Sequence, residues 1–121
     1  MKRFVVSTIA AAVAVPLAAP TSTAATAQPL AGVTGPGFTI SVKKAGRKVT
    51  RLRPGTYRIT VADRSAAHDF VFVGPGVRSR MITGLGFTGT RSVTVTLRRG
   101  RYEYYCTPHR RMGMRGYITV S

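Results

Sequence analysis

Four side chains that can bind a metal lie close together near the C-terminus. The segment YYCTPHRRMGM, residues 104–114, contains Cys106, His109, Met112 and Met114. A thiolate, an imidazole and thioethers form a soft ligand set that favours copper. The chain has one cysteine and two histidines in all, so composition alone does not account for a cysteine three residues before a histidine. The segment is therefore the first candidate for a metal site.

The single cysteine leaves three interpretations open. An intramolecular disulfide is excluded, because the chain has no second cysteine. Cys106 can be a buried, inert thiol, one half of an intermolecular bridge, or a thiolate held by a metal. The side chains around it must decide between these interpretations.

The N-terminus has the pattern of a cleaved export signal, which we assign to residues 1–27. Two basic residues precede an almost uninterrupted apolar run at 4–19, and residues 25–27 read A-T-A, a cleavage pattern. The run contains Pro16 and is shorter than the roughly 20 residues of a membrane-spanning helix. We therefore predict an exported protein, periplasmic, extracellular or attached to the cell surface, with no transmembrane anchor after cleavage.

The chain is strongly basic. It carries 19 lysines and arginines against three acidic residues, for a formal net charge of +16. In a cytosolic protein this charge would suggest a nucleic acid partner, but export and the scattered arginines argue against one. Anionic envelope polymers, lipid head groups and an acidic protein remain as candidate partners, and the charge can also serve solubility alone.

Alternating apolar residues predict an all-β domain over residues 38–121, after a flexible Pro/Gly-rich lead-in at 28–37. Turn signals such as 54–55, 74–76 and Gly100 separate the alternating runs. Seven or eight short strands in a span of this length predict an antiparallel two-sheet sandwich. The residues expected to face the core are Phe38, Ile40 and Val42; Tyr57, Ile59 and Val61; Val93, Val95 and Leu97; and Ile118 and Val120.

Two segments share the pattern L-R-x-G-x-Y, at residues 52–57 and 97–102. In both, a glycine stands two positions before a strand tyrosine. We interpret this as repeated turn chemistry, with a buried tyrosine locking each corner.

Strand alternation also predicts where the candidate ligands point. In the strand that ends at Cys106, every second residue from Tyr102 shares the face of the cysteine, so the sulfur points into the core and Tyr105 points out. The segment that begins at His68 places the imidazole on the same face as Phe70. His68 is the one other histidine of the chain, so it is the only available second imidazole. We expect it to begin a strand at the same end of the sandwich.

These residues resemble the type 1 copper site of the cupredoxin family, and in particular of plastocyanin and pseudoazurin. The resemblance rests on YCTPH at 105–109, on GMRG at 113–116 and on His68 upstream. It covers about residues 38–121 and implies a Greek-key β-sandwich that binds one copper ion.

The resemblance implies a ligand set by position. The equatorial ligands would be His68, Cys106 and His109, and Met114 would be the long axial ligand. Met112 is the alternative axial ligand, because a shorter spacing between histidine and methionine occurs in amicyanin-like loops. We prefer Met114, since the glycines on either side of it match the pseudoazurin pattern.

One position beside the site departs from the family. Asp69 stands where many relatives carry an asparagine, whose side chain usually ties the ligand loop to the backbone. An ionised aspartate accepts hydrogen bonds but cannot donate them, so this contact must be checked against the structure.

The resemblance also implies an activity. The protein would be a monomeric electron carrier and not an enzyme, with His109 as the electron port. We expect an apolar rim around the port, with an ordinary crossover loop at 74–90 as the alternative, and three arginines beside the port that attract a redox protein with an acidic docking surface. The rim would comprise Pro75, Leu85, Phe87 and Pro108, and the arginines are Arg110, Arg111 and Arg115.

Other functions remain open. The protein could bind or deliver copper in the envelope, although it lacks the Met- or His-rich tracts typical of carriers. It could also be a metal-free cationic domain that binds anionic surfaces. A copper oxidase is disfavoured, because its catalytic centre needs more histidines than the two present.

Overall fold

The computed structural model describes residues 4–5, 8–17 and 26–121. The predicted export signal at 1–27 lies partly outside these residues, its described part at 4–5, 8–17 and 26–27 contains no regular element, and it stays a prediction. Among the described residues, no helix combines the length and the apolar character that crossing a membrane requires. The regular elements are the strands β1 (Gln28–Thr34), β2 (Ile40–Lys44), β3 (Arg47–Lys48), β4 (Arg51–Leu52), β5 (Gly55–Asp63), β6 (Phe70–Gly74), β7 (Val77–Thr83), β8 (Gly89–Leu97), β9 (Gly100–Tyr105) and β10 (Arg115–Val120), and a 3-10 helix (Thr107–Met112) before β10.

The strands form two five-stranded sheets that pack face to face. The first has the order β3-β2-β1-β5-β8 and the second β4-β10-β9-β6-β7. After β7 in the second sheet and β8 in the first, β9 returns to lie beside β6, which is a Greek-key connection. The predicted β-sandwich is confirmed. Its core consists of the inward-facing residues of both sheets, among them Leu30, Val42, Tyr57, Ile59, Val61, Phe70, Phe72, Leu97, Tyr102, Tyr104, Ile118 and Val120.

The sheets are mixed, whereas the sequence predicted antiparallel ones. Strand β1 runs parallel to β5, and β10 runs parallel to β4; the other pairings are antiparallel. Alternation shows which face of a strand is buried but not which neighbour it pairs with, so strand direction was not accessible from the pattern. The described residues form ten strands, more than the predicted seven or eight, partly because β3 and β4 have two residues each.

The predicted flexible lead-in at 28–37 is wrong for its first seven residues. These form β1, which is the central strand of the first sheet. Gly32 explains why a strand tolerates this composition. A Cβ atom at this position would lie 3.0 Å from Val61 Cγ2 and 3.3 Å from the Phe70 ring, so the glycine makes room for side chains of both sheets.

Both L-R-x-G-x-Y segments form the predicted tyrosine corners. The Tyr57 hydroxyl donates to the Arg53 carbonyl at 2.7 Å. The Tyr102 hydroxyl bonds to the Pro75 carbonyl at 2.7 Å and accepts the Arg98 N–H at 3.1 Å. The hydroxyl of each buried tyrosine thus forms a hydrogen bond with the backbone of the residue four positions upstream, which is the geometry of a tyrosine corner.

Removing these hydroxyls should destabilise the fold unequally. We expect Tyr102→Phe to lower the free energy of unfolding by about 1–3 kcal/mol, because it leaves a partly buried N–H and a carbonyl unpaired. Tyr57→Phe should cost about 1 kcal/mol, since one hydrogen bond is lost. Urea denaturation measures both, with the exposed Tyr117→Phe as control. Equal costs for all three variants would contradict the corner geometry.

Candidate metal centre

Two loops meet at one end of the sandwich and bring the candidate ligands together. Cys106 directly follows β9, and His109 lies in the 3-10 helix. His68 precedes β6, which begins at Phe70 and not at the histidine as predicted. Its backbone N–H donates to the Ser65 carbonyl at 3.0 Å, so it closes a turn instead of joining a strand ladder.

The three side chains converge on one point. The Cys106 sulfur lies 3.6 Å from His68 Nδ1 and 3.5 Å from His109 Nδ1, and the two nitrogens are 3.0 Å apart. Metal–ligand bonds of about 2.0–2.3 Å place neighbouring ligand atoms of one ion roughly 3.5 Å apart. A thiolate and two imidazoles at these separations fit a single copper ion.

The site is closed on the protein side and open at one imidazole. Cys106 is fully buried and His68 is buried, whereas His109 is partly exposed. Burial raises the pKa of the Cys106 thiol, and a hydrogen bond from the Asp69 backbone offsets part of this effect. Without a metal the sulfur therefore holds its proton more tightly than an ordinary cysteine does.

Metal binding must displace that proton, which makes copper affinity depend on pH. The thiol pKa is raised, so the proton competes up to a higher pH than usual. We expect the apparent Cu(II) affinity to rise about tenfold per pH unit from about pH 7 to the raised pKa. Competition with a chelator of known pH behaviour measures this. Cys106→Ser should lose the dependence, and a flat affinity over this range would contradict a protonated thiol.

The two candidate methionines have different environments. Met114 is 1% exposed, and its carbonyl accepts the Cys106 N–H at 3.0 Å. Met112 is 70% exposed. Gly113, with φ of 89°, ends the 3-10 helix in the left-handed conformation that glycine adopts without strain. This turn places Met114, and not Met112, beside Cys106 in the interior.

Asp69 connects the two ligand loops. Its Oδ1 accepts the Thr107 N–H at 2.6 Å, and its own carbonyl accepts the Thr34 hydroxyl at 3.3 Å. The contact to Thr107 requires only an acceptor, so a carboxylate serves as well as an amide. The position that departs from the family thus still ties the loop of Cys106 to the loop of His68.

Phe38 was predicted to face the core and instead covers the two histidines. Its side chain is 62% exposed, and β2 begins two residues later. Its ring meets His109 edge-on at a centroid distance of 4.7 Å and His68 at 6.3 Å. The prediction included Phe38 in the alternating pattern of Ile40 and Val42, although the residue directly follows the turn at Pro36 and Gly37. That turn signal could have separated Phe38 from the strand.

The predicted apolar rim is only partly present. Pro108 is exposed beside His109, and the turn at Leu85 is held near the loop of His68 by a hydrogen bond from Gly86 N–H to Ala66 at 2.8 Å. Pro75 was misplaced. It follows the far end of β6, where its carbonyl bonds to Tyr102. The fourth predicted residue, Phe87, is half-buried under Arg91, whose guanidinium lies 4.0 Å from the ring centroid.

The three arginines beside the site do not behave alike. Arg110 forms a salt bridge with Glu103 and lies 4.3 Å from the Tyr105 ring centroid. Arg111 and Arg115 are exposed. Of these three arginines, Arg111 and Arg115 carry the uncompensated positive charge, because a carboxylate compensates Arg110.

Solved structures share this fold. Rusticyanin from Thiobacillus ferrooxidans matches with 25% identity over 77% of this chain and 76% of its own, at a TM-score of 0.54. Reduced rusticyanin matches with 23% identity over 82% of each chain, also at 0.54. A rusticyanin variant reaches 0.57 at 23% identity, covering 82% of this chain and 80% of its own. A comparison with curated protein sequences finds no match.

The sequence model of the copper-binding proteins of the plastocyanin/azurin family matches residues 47–121. This range contains both histidines, the cysteine and Met114, and the ligand atoms of the first three fit one type 1 copper. Strands β1 and β2 lie outside the match. The chain belongs to the plastocyanin/azurin family of copper-binding proteins.

Proposed function

We propose that the protein is an exported electron carrier that cycles one type 1 copper between Cu(II) and Cu(I), with His109 as the electron port. The observation that carries this proposal is the convergence of His68, Cys106 and His109 with only His109 reaching the surface. An electron can then enter or leave through one imidazole edge while the thiolate stays shielded from water.

Bound copper supplies the one-electron chemistry, and the chain's own residues limit how far the ligands can move. His68 and Cys106 are tied to each other's loops through Asp69 and the Thr107 N–H. The backbone bonds of Met114 to Cys106 and His109 close the second loop. A site held in this way changes little between oxidation states, which favours fast electron transfer. We assign Met114 as the axial ligand because of its burial.

Burial also argues against copper delivery as the main function. A delivery protein must pass its metal to a partner through exposed, exchangeable ligands. Here Cys106, His68 and Met114 are all buried, and Phe38 covers the histidines. Copper held at this site would leave slowly.

Protein voltammetry tests the electron-carrier proposal. We expect one reversible wave that corresponds to one electron per copper. Met114→Leu should shift the potential, because it removes the axial thioether, and Met112→Leu is the matched control that should not. An irreversible wave, or loss of copper upon reduction, would favour copper handling over electron transfer. Equal shifts of the reduction potential in both variants would contradict the assignment of Met114 as the axial ligand.

The partner is proposed to be a redox protein with an acidic docking surface. Arg111 and Arg115 flank the port. Their positive charge would repel positively charged proteins and attract acidic ones. We expect the rate with an anionic reactant such as hexacyanoferrate to fall roughly tenfold between about 10 mM and 150 mM salt, as the Debye length shortens.

Stopped-flow mixing measures this rate. Arg111→Gln with Arg115→Gln should flatten the salt dependence more than the remote pair Arg78→Gln with Arg80→Gln, which removes the same charge. If both pairs flatten it equally, net charge and not the port surface steers the reactant.

A further inference from the structure

A second basic surface lies at the end of the sandwich opposite the metal centre. A cleft of about 550 Å³ opens between the two sheets there. Five basic side chains line it, and we call it the basic cleft: Lys44, Arg47, Lys48, Arg51 and Arg53. All five are exposed. Nothing in the metal centre uses them.

The basic cleft and the metal centre lie at opposite ends of the same strands. The cleft lies where β1 and β5 begin and where β2 and β10 end, whereas the metal-binding loops lie at the other ends of these strands. Along β5, the six residue steps from Tyr57 at the cleft to Asp63 near the metal correspond to about 20 Å. A ligand in the cleft would leave His109 uncovered.

No acidic side chain lines the cleft. The chain has three acidic residues, Asp63, Asp69 and Glu103, and all three are buried elsewhere. Lys44 donates to the neutral Gln28 amide at 2.7 Å.

Like charges face each other across the strands here. Lys43 stands opposite Lys48, and Lys44 stands opposite Arg47. Cross-strand pairs of like charge destabilise a sheet, and a bound multivalent anion would relieve the repulsion.

The residues that line the cleft indicate which class of anion it could bind. The large exposed apolar side chains of the described domain lie elsewhere, so nothing at the cleft could insert into a membrane. Tyr57 is the one aromatic residue of the lining, and it is buried, so bases of a nucleic acid have no ring to stack on. Opposed cations such as Lys44 and Arg47 suit a phosphate, whose oxygens can accept from both sides at once.

We propose that the basic cleft binds a linear phosphate polymer and so holds the protein with its copper end directed away from that polymer. The binding itself does not depend on the proposed electron transfer. Several phosphates along one chain would contact the five cations together, because all five line one cleft and are exposed.

Binding of fluorescently labelled inorganic polyphosphate tests the proposal. The triple variant Lys44→Gln, Arg47→Gln and Lys48→Gln should bind at least about tenfold more weakly at physiological salt, with a smaller salt dependence. A control triple variant removes the same charge outside the cleft, at Arg78, Arg80 and Arg91, and should change affinity by less than about threefold. Equal losses in both triples would overturn the proposal, because net charge would then explain binding.

Competing polymers test the choice of phosphate. Polyglutamate and single-stranded oligothymidylate, matched in charge, should displace polyphosphate at least about tenfold less well. Displacement by polyglutamate at equal concentration would overturn the commitment to a phosphate polymer, and displacement by oligothymidylate would overturn the choice of polyphosphate over a nucleic acid. An unchanged polyphosphate affinity in the cleft triple, with increased self-association, would mean that the charges only protect the edge strand β3 from pairing, and would also overturn it.

The two proposals fail in different ways. The cleft triple should keep the copper spectrum and reduction potential of the unaltered protein, and Cys106→Ser should keep its polyphosphate affinity. Loss of polyphosphate binding in Cys106→Ser would overturn a separate cleft site, whereas an abnormal copper spectrum in the unaltered protein would affect only the proposed electron transfer.

Discussion

Cys106→Ser should abolish the intense visible absorption of the copper form and weaken Cu(II) binding by at least roughly 100-fold. The sulfur is the one thiolate among the three converging ligand atoms, and a serine hydroxyl does not deprotonate to replace it at neutral pH. Loss of a partner that merely orients a ligand already costs about 10–100-fold in metal affinity, so loss of the ligand itself should cost at least as much. Visible spectroscopy and chelator competition measure the two effects.

The loss of absorption and of copper affinity in Cys106→Ser must be distinguished from an effect of unfolding. Cys106 is fully buried, so a serine there adds a polar group at a cost of about 1–3 kcal/mol. Circular dichroism and urea denaturation should therefore still report a folded protein. Met112→Leu, at an exposed position of the same loop, is the control that should keep the absorption. A folded Cys106→Ser protein with undiminished absorption would place the copper elsewhere.

Gly74→Ala should strongly destabilise the second sheet. A Cβ atom at Gly74 would overlap the ring of Tyr102. That ring cannot move away, because it stacks on Phe72 at 5.5 Å and its hydroxyl is bound to the Pro75 carbonyl. Overpacking of a rigid core costs about 1–3 kcal/mol, and we expect the upper end of this range or more.

Gly84→Ala is the matched control for this prediction. A Cβ atom there would lie 3.4 Å from the flexible Met81 side chain, so the cost should stay within about 0.5 kcal/mol. Urea denaturation compares the two variants with the unaltered protein. Similar stabilities for Gly74→Ala and Gly84→Ala would mean that Tyr102 is not locked in the position described.

The burial of all three acidic residues gives this protein an exposed surface without carboxylate side chains. Asp69 and Glu103 are each used structurally, in the loop contact to Thr107 and in the salt bridge with Arg110. The positive charge outside is therefore almost uncompensated. Such a surface favours anionic partners at both ends of the molecule, and the port and the basic cleft can be tested independently.

Period-two alternation was sufficient to predict most of the sandwich core. Tyr57, Ile59 and Val61 face inward as expected, because one face of their strand packs on the opposite sheet. The same rule placed Cys106 inside, where its strand ends at the metal centre. The pattern contains no information on strand partners, which is why the parallel pairing of β1 with β5 could not be anticipated.

The errors near the site have one physical source. Glycine and proline mark turns in most contexts, but in β1 Gly32 allows the sheets to approach closely. Phe38 alternates with Ile40 and yet lies outside the strand, over the histidines. Local composition cannot distinguish a glycine in a turn from a glycine that lets two sheets approach. It also cannot distinguish a core residue from one that covers a site, because both distinctions depend on residues distant in sequence.

The most direct test of the copper assignment is a titration of the purified metal-free protein with Cu(II), followed by visible absorption. An intense thiolate-to-copper charge-transfer band should grow linearly and saturate at one copper per chain. A folded protein that takes up copper without this band, or that saturates at another ratio, would contradict a type 1 site built from His68, Cys106 and His109.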